Sequence, residues 1–283
     1  MQGSRPRVAV VGHVEWVQFA RVRNVPSAGE VVHATDAFDE PAGGGAVAAV
    51  QLARLAGRAV LITALGDDEH ARLTVARMRQ LGVDVHAATR ARRTRRAVTL
   101  VDDQGERTIT TFGSRLEPLA ADEGMAWGAL EGTDAVYFTS GDVGALRAAR
   151  KARVLVANPR AVDALGHGVA LDALVLSGED TIERRLTARA EDEAELVVFT
   201  EGARGGLYRE RSGTSGRWEA ATPPGPRVDS YGCGDSFAAG LTYGLGAGLG
   251  VPAALDLAAR CGAVCLTGRG PYQHQLTAQE LNA

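Results

Sequence analysis

Two carboxylates frame a glycine turn in the stretch Asp229-Ser-Tyr-Gly-Cys-Gly-Asp-Ser-Phe237, directly ahead of a run with helical apolar spacing. Phe237, Ala238, Ala239, Leu241, Leu245 and Leu249 recur at the intervals of one helix face, so Gly232, Cys233 and Gly234 fall at a helix N-terminus. Unpaired backbone N–H groups and the positive end of the helix dipole favour an anion there. Asp235, in the first turn beside that pocket, could accept the proton of an attacking hydroxyl, as positioned aspartates do in other phosphoryl transfers. A base next to an anion hole is the equipment of a kinase. The plainer reading of Gly-Cys-Gly is a tight strand-to-helix turn, the better choice for a short glycine motif standing alone.

Lysine supplies a useful negative. Of 31 basic residues only Lys151 is a lysine, and it follows no glycine-rich loop. A Walker A loop needs a lysine after its glycines and a protein kinase needs one on a strand, so both classes are excluded. Phosphate charge must instead meet backbone amides, magnesium or arginine. Gly43-Gly44-Gly45 lacks the spaced glycines and acidic partner of a dinucleotide fold, which excludes a dehydrogenase. A formal charge of −3 and a sequence pI near 6.1 argue against nucleic-acid or membrane-surface binding. Apolar runs such as Val8 to Val11 and Leu196 to Phe199 are too short to span a bilayer, and Met1-Gln-Gly-Ser-Arg5 has no signal-peptide core. The expected location is cytoplasmic.

Cys233, Cys261 and Cys265 are an odd number with no Cys-X-X-Cys pair, so neither a disulfide framework nor a zinc site is indicated. Cys261 and Cys265 stand at i and i+4 on one apolar helix face, as core residues. Cys233 sits in the anion hole, where a helix N-terminus lowers a thiol pKa; reactivity toward thiol reagents is the expectation.

Apolar runs alternate with helical patterns, the sign of a mainly parallel sheet with helices on both faces in a single domain. Strands are expected at Arg7 to Val11, Ala59 to Ala64, Ala135 to Phe138, Val154 to Ala157, Ala173 to Leu176 and Leu196 to Thr200. Helices are expected at Ala46 to Leu55, His70 to Leu81, Gly144 to Lys151, Thr181 to Ala190, Gly234 to Leu245 and Pro252 to Leu266. Val14 to Ala37 and Thr94 to Phe112 alternate β-branched and polar residues around the turn Asp102-Asp-Gln-Gly105, which fits a small β lid.

Asp-Ser-Tyr-Gly-Cys-Gly-Asp-Ser-Phe resembles the Asp-Thr-X-Gly-Ala-Gly-Asp-X-Phe signature of the ribokinase-like (PfkB) carbohydrate kinases, changed only at Ser230 and Cys233. Gly43-Gly44-Gly45, Leu65-Gly66-Asp67-Asp68, Gly105-Glu106-Arg107-Thr108 and Thr200-Glu201-Gly202-Ala203-Arg204-Gly205 fall in the family's order ahead of it. Five ordered features outweigh the plain-turn reading. The resemblance implies a three-layer α/β/α sandwich with a small β lid, ATP and magnesium as cofactors, an alcohol group on a small molecule as acceptor, and a dimer formed through the lid. It also implies that Asp235 is the base, that residues 232 to 234 are the anion hole, and that Thr200, Gly202 and Gly205 border the nucleotide, where glycine permits close approach.

The acceptor side departs from the family. Typical members place an Asp shortly after the first strand and an Asn after the glycine turn; this chain has Val17 or Gln18 and then Val47, and its only asparagines are Asn24, Asn158 and Asn282. A pocket without those groups loses discrimination for sugar hydroxyls. Beside the Gly43, Gly44 and Gly45 turn, the polar residues that could bind an acceptor are His13, Glu15, Gln18 and Asp142, each with a plainer reading as a loop or surface residue. Trp16 could stack on an acceptor ring or pack in a core. The family's Asn-X-X-Glu motif is replaced by Ser177-Gly-Glu-Asp180, where Glu179 or Asp180 could hold magnesium through water or Ser177 could begin a helix. Asp229 could face the phosphates and their metal, or fix its own loop through backbone amides. Arg90, Arg92, Arg93, Arg95 and Arg96 enter the lid, where one arginine could reach an anionic acceptor or the transferring phosphate. The alternative to a kinase is a catalytically weak, nucleotide- or metabolite-binding regulatory protein on the same fold.

Overall fold

The computed structural model describes residues 5–178 and 188–281. Apolar β1 (Val8–Val11) is buried on both sides and lies in a nine-stranded sheet beside β4 (Ala59–Gly66) and β8 (Ala135–Phe138), both parallel to it. Next to β4 is β5 (Val83–Arg90), and beyond β8 run β9 (Val154–Ala157), β10 (Leu171–Ser177) and β11 (Ala194–Thr200), all parallel. The hairpin β12 (Gly206–Glu210) and β13 (Ser215–Trp218) closes the β11 edge antiparallel. Expected strands and helices are in place within a few residues. Left out of the sequence reading were β5, whose apolar alternation is weak, and the largely polar β12–β13 hairpin.

Alternate residues of one strand serve two cores, as the pleat demands. Val8 and Val10 pack under α1 (Gly44–Ala56), α2 (Glu69–Gln80) and two later helices, α5 (Cys233–Gly246) and α6 (Val251–Cys265). Ala9 and Val11 face α3 (Val143–Ala149) and the short α4 (Ala188–Glu191) on the other side. The expected three-layer sandwich is therefore the observed one. The rest of the helix expected at Thr181 to Ala190 lies outside the described residues. No helix among the described residues is long and apolar enough to cross a membrane.

The lid is a second, four-stranded sheet in the order β3 (Asp36–Ala42), β2 (Glu15–Arg21), β6 (Arg96–Val101) and β7 (Arg107–Phe112). Strand β3 runs to Ala42, five residues past the expected end at Ala37, and delivers the chain straight into the Gly43 turn. In β2, Glu15, Val17 and Phe19 are buried while Gln18 is exposed, so one face of the lid covers the main sheet.

Asp68 joins lid to sheet. It caps α2 by accepting from the Ala71 amide at 3.0 Å, and takes the Thr94 hydroxyl at 2.7 Å and the Thr94 amide at 2.8 Å, just ahead of β6. Burial raises its carboxyl, but these donors outweigh burial and hold it below the ordinary 3.8. Gly66 allows the approach: a side chain there would stand 2.3 Å from the Thr94 nitrogen. A depressed carboxyl stabilises the fold above its unfolded pKa and stops doing so as pH falls through the folded one. Asp68→Ala is therefore expected to cost about 1–3 kcal/mol in urea denaturation at pH 7, with the difference from wild type shrinking as the pH drops below 3.8.

Candidate active site

The site forms at the carboxyl ends of β1, β8 and β9, where parallel sheets of this kind open a crevice. From β1 the chain passes through Gly12 to His13 and Glu15; from β8 comes Thr139, and from β9 come Asn158 and Arg160. The N-termini of α1 and α5 converge over them. An added Cβ on Gly43 would meet His13 and Glu15 at 3.2–3.3 Å, and one on Gly44 would meet Arg160 Nη1 at 3.0 Å, Asp235 Oδ1 at 3.1 Å and Thr139 Oγ1 at 3.2 Å. Gly45 lies over Gly12 and donates its N–H to the His13 carbonyl at 3.1 Å.

Asp235 is in the first turn of α5 and only 7% exposed. Its Oδ1 accepts from Arg160 Nη1 at 2.6 Å, and its Oδ2 takes no hydrogen bond among the described residues. The carboxylate in turn holds the Arg160 guanidinium charged, with its pKa above the ordinary value. Arg160 is positioned by Asn158, which caps the turn Pro159–Ala161; Asn158 donates to Tyr137 Oη at 2.6 Å and accepts from Thr139 Oγ1 at 3.0 Å. Nothing in the sequence reading singled out Arg160 or Asn158. The tripeptide Asn158-Pro-Arg after a strand, a cap before a turn, is the available signal.

Gly232 is the N-cap of α5 in the left-handed region at φ 82°, and its ring of neighbours is close: an added Cβ would stand 2.9 Å from Val47 Cγ1. Val47, in the position expected for an acceptor-binding Asn, is fully buried against this loop. Helix geometry leaves the amides of the first turn without intrahelical acceptors, and Gly234 is exposed, with nothing within 4 Å of where its Cβ would be. Open space therefore adjoins donors and base together. Tyr231, another residue missed at first, ties the two glycine turns by accepting the Gly43 N–H at its hydroxyl, 3.2 Å away, and packs edge-on against Phe19 of the lid.

Other expectations are met differently. Asp229 accepts the Tyr231 amide at 2.8 Å and the Gly270 amide at 3.0 Å, one on each oxygen, and so fixes the loop. The Cys265 thiol beside it, and then burial, push the Cys233 thiol up, against the pull of the helix N-terminus. Cys261 and Cys265 are fully buried, as expected of core residues. Gln18 points away from the site because β2 alternation sends Glu15 inward and Gln18 to the outer face with Trp16 and Arg96. Asp142 caps α3, accepting the Ala145 amide at 2.7 Å and the Ala120 amide at 3.0 Å, both on Oδ1. Of the five lid arginines, Arg95 alone turns inward; Arg90 pairs with Asp122 at 2.7 Å, Arg92 and Arg93 are exposed, and Arg96 lies over Phe112.

On the nucleotide side, Ser177 ends β10 in register with Thr200, whose hydroxyl donates to the Leu176 carbonyl at 3.3 Å. Gly202 has positive φ with nothing within 4 Å of an added Cβ, leaving room for a ligand. Gly205 has positive φ for another reason, since a side chain would strike the Trp218 carbonyl at 2.1 Å. Glu179 and Asp180 lie outside the described residues, and the described residues contain no group of three or more His, Cys, Asp or Glu placed to hold a metal.

A profile of the pfkB family carbohydrate kinases matches residues 5–157 and 169–278. The chain belongs to this family. An ATP-dependent ribose-1-phosphate kinase from Halopiger xanaduensis is 33% identical to this pfkB kinase over 279 residues, 91% of each chain. Ribokinase structures from Giardia lamblia (TM-score 0.79, 17% identity, 99% and 98% of the two chains covered) and Thermotoga maritima (0.78, 18%, 98% of each) share the fold.

The left-handed Gly232 makes a sharp demand on the pfkB signature. Gly232→Ala is expected to cost about 1–3 kcal/mol from backbone strain together with the Val47 clash, and to lower ADP formation, measured by melting temperature and a coupled kinase assay on the same preparation.

Proposed function

We propose that this pfkB kinase transfers the terminal phosphoryl group of ATP to a hydroxyl of a carbohydrate, with Asp235 as general base and residues 232–234 as the anion hole. The observation that carries this is the placement of a buried carboxylate with one uncommitted oxygen beside the open first turn of α5. The acceptor hydroxyl gives its proton to Asp235 while its oxygen forms the new bond to phosphorus; the bond from that phosphorus to the bridging oxygen breaks, and ADP leaves. Negative charge on the transferring group meets the amides of the helix N-terminus and the Arg160 guanidinium. Thr200 and Gly202 border the side from which the nucleotide enters.

Magnesium, when bound, shields the triphosphate charge. The described residues offer no cage for it, and an ion that arrives on the phosphates and keeps several waters needs none. The intact Asp235–Arg160 pair supports an enzyme over a binding-only regulatory protein, which gains nothing from a base poised for proton abstraction. The outer lid face supports a homodimer: every residue of β7 is exposed, Phe112 at 46%.

Two measurements test these readings. ADP formation across sugars, sugar phosphates, polyols and nucleosides is expected to be acceptor-dependent and to fall about 100- to 10,000-fold in Asp235→Asn; nucleotide binding without turnover would favour the regulatory reading. Sedimentation velocity is expected to give a dimer that dissociates on Phe112→Glu, and a monomeric wild type would end the dimer proposal.

A further inference from the structure

Two thiols stand together against the signature loop. Cys233, the first residue of α5, is partly exposed; Cys265, in the last turn of α6, is fully buried. Their sulfurs face the same turn, Cys233 Sγ 3.9 Å from the Asp229 carbonyl oxygen and Cys265 Sγ donating to the Tyr231 carbonyl at 3.5 Å. They are also in contact with each other, and the Ser236 hydroxyl meets the Cys265 sulfur. The backbones are equally close: an added Cβ on Gly262, about one turn before Cys265, would stand 3.3 Å from the Cys233 carbonyl oxygen. Cys261 is turned elsewhere, its sulfur 2.8 Å from where a Cβ on Gly240 would be, inside the packing of α5 on α6.

Phosphoryl transfer asks for no sulfur at position 233, where the family signature carries alanine and the donors of a helix N-terminus are backbone N–H groups. What the pair offers is oxidation chemistry. Contact with Cys233 holds the Cys265 thiol below its ordinary pKa against burial, with Ser236 helping and Asp229 and Asp235 opposing. A sulfur with thiolate character behind an accessible one is the arrangement of an oxidisable thiol and its resolving partner.

We propose that Cys233 and Cys265 form a reversible disulfide with hydrogen peroxide as oxidant, a modification that takes the anion hole out of use. Its effect on turnover rests on the reading of residues 232–234 above; the bond itself does not. The peroxide meets Cys233, the sulfur within reach of solvent. Cys233 Sγ bonds to one peroxide oxygen, the O–O bond breaks, and the thiol proton leaves with the other oxygen as water, which makes a sulfenic acid. Cys265 Sγ then attacks the Cys233 sulfur, the S–O bond breaks, and the departing hydroxide takes the Cys265 proton as a second water. Two thiols are oxidised to one disulfide and one peroxide is reduced to two waters. A covalent bond draws the sulfurs well inside non-bonded contact. Cys265 belongs to a 15-residue helix in the core, whereas Cys233 follows the left-handed Gly232 and borders the open space at Gly234, so the loop is the side that gives way. A shift of about 1 Å in a catalytic turn is enough to cost about 100-fold in rate.

The test is hydrogen peroxide treatment of the whole enzyme followed by peptide mapping without reductant. Trypsin cuts after Arg227, Arg260 and Arg269, which places Cys233 and Cys265 in separate peptides. The expected product is those two peptides joined through Cys233 and Cys265, together with a fall in ADP formation of about 100-fold that dithiothreitol reverses. Cys265→Ser is expected to keep its basal turnover and to yield no joined peptide, while Cys261→Ser yields it as wild type does. Failure of the joined peptide to appear in wild type, or its survival in Cys265→Ser, overturns the proposal. Should Cys265→Ser not fold, fragmentation of the wild-type joined peptide locates the bonded sulfur by itself, and a bond to Cys261 overturns the assignment. A joined peptide with undiminished turnover leaves the disulfide standing and overturns its effect, and with it the anion hole at residues 232–234. If no acceptor turns over, the peptide map still decides the disulfide, and calorimetric binding of ATP before and after peroxide takes the place of turnover: weakened binding upholds the effect, unchanged binding overturns it.

Discussion

The ion pair between Asp235 and Arg160 is the contact on which the crevice is built. A carboxylate 7% exposed needs a countercharge, and Arg160 provides one at 2.6 Å across two elements far apart in sequence. Removing one partner of a fully buried pair costs about 3–5 kcal/mol. The figure here is smaller, because the Arg160 side chain is 39% exposed and solvent screens it. Arg160 in turn depends on Asn158, and Asn158 on Tyr137 and Thr139, so the ends of β8 and β9 are registered by the same polar chain that aims the guanidinium. The sheet supplies the precision: adjacent parallel strands stop at one level, and their last side chains share one crevice.

Space is the second constraint, and glycine meets it. An added Cβ on Gly12 would stand 2.4 Å from Thr139 Cγ2, and one on Gly45 would stand 2.7 Å from the His13 carbonyl, so β1 and α1 can approach only where no side chain intervenes. The Gly43-Gly44-Gly45 turn thus serves packing as much as chemistry. Its neighbour Tyr231 carries the constraint onward to α5 and, through Phe19, to the lid. The lid hairpin returns the contact, since Ser230 donates its amide to the Gly105 carbonyl at 3.0 Å and Arg107 donates to the Ser230 carbonyl at 3.2 Å. Lid, glycine turn and signature loop are therefore joined by one continuous set of contacts.

Local patterns made much of this legible. The strands of the main sheet are short, wholly apolar runs bounded by polar turns, and such runs announce themselves; Gly232 to Asp235 could be placed at a helix start because the apolar period begins directly after it. What escaped depends on tertiary direction. Gln18 and Glu15 are equally polar and three residues apart, and only the register of β2 against β3 and β6 decides that one is buried and the other exposed. Asp142 and Asp229 look like ligands in the sequence, and the fold shows each holding two backbone amides, Asp142 through Oδ1 alone and Asp229 with one on each oxygen. Arg160 and Arg115 were invisible for the opposite reason: each lies in an irregular segment with no periodicity, and gains meaning only when the sheet brings it to the crevice. For Cys233 the sequence displays the helix N-terminus but not the Cys265 thiol and the burial that act against it.

The nearly complete replacement of lysine by arginine has a consequence at this site. A lysine buried beside two other cations sheds its proton readily, since its charge is localised and strongly hydrated. A guanidinium keeps its charge under the same burden, even at Arg115, whose pKa is lowered by burial and by Arg95 and Arg160. The one lysine, Lys151, is exposed. Arginine therefore allows three permanent charges to be packed around a neutral histidine and two carboxylates, with planar donor forks whose directions are set by the backbone carbonyl of Arg160 and by Asp235. Such a cluster keeps a constant charge through the neutral pH range.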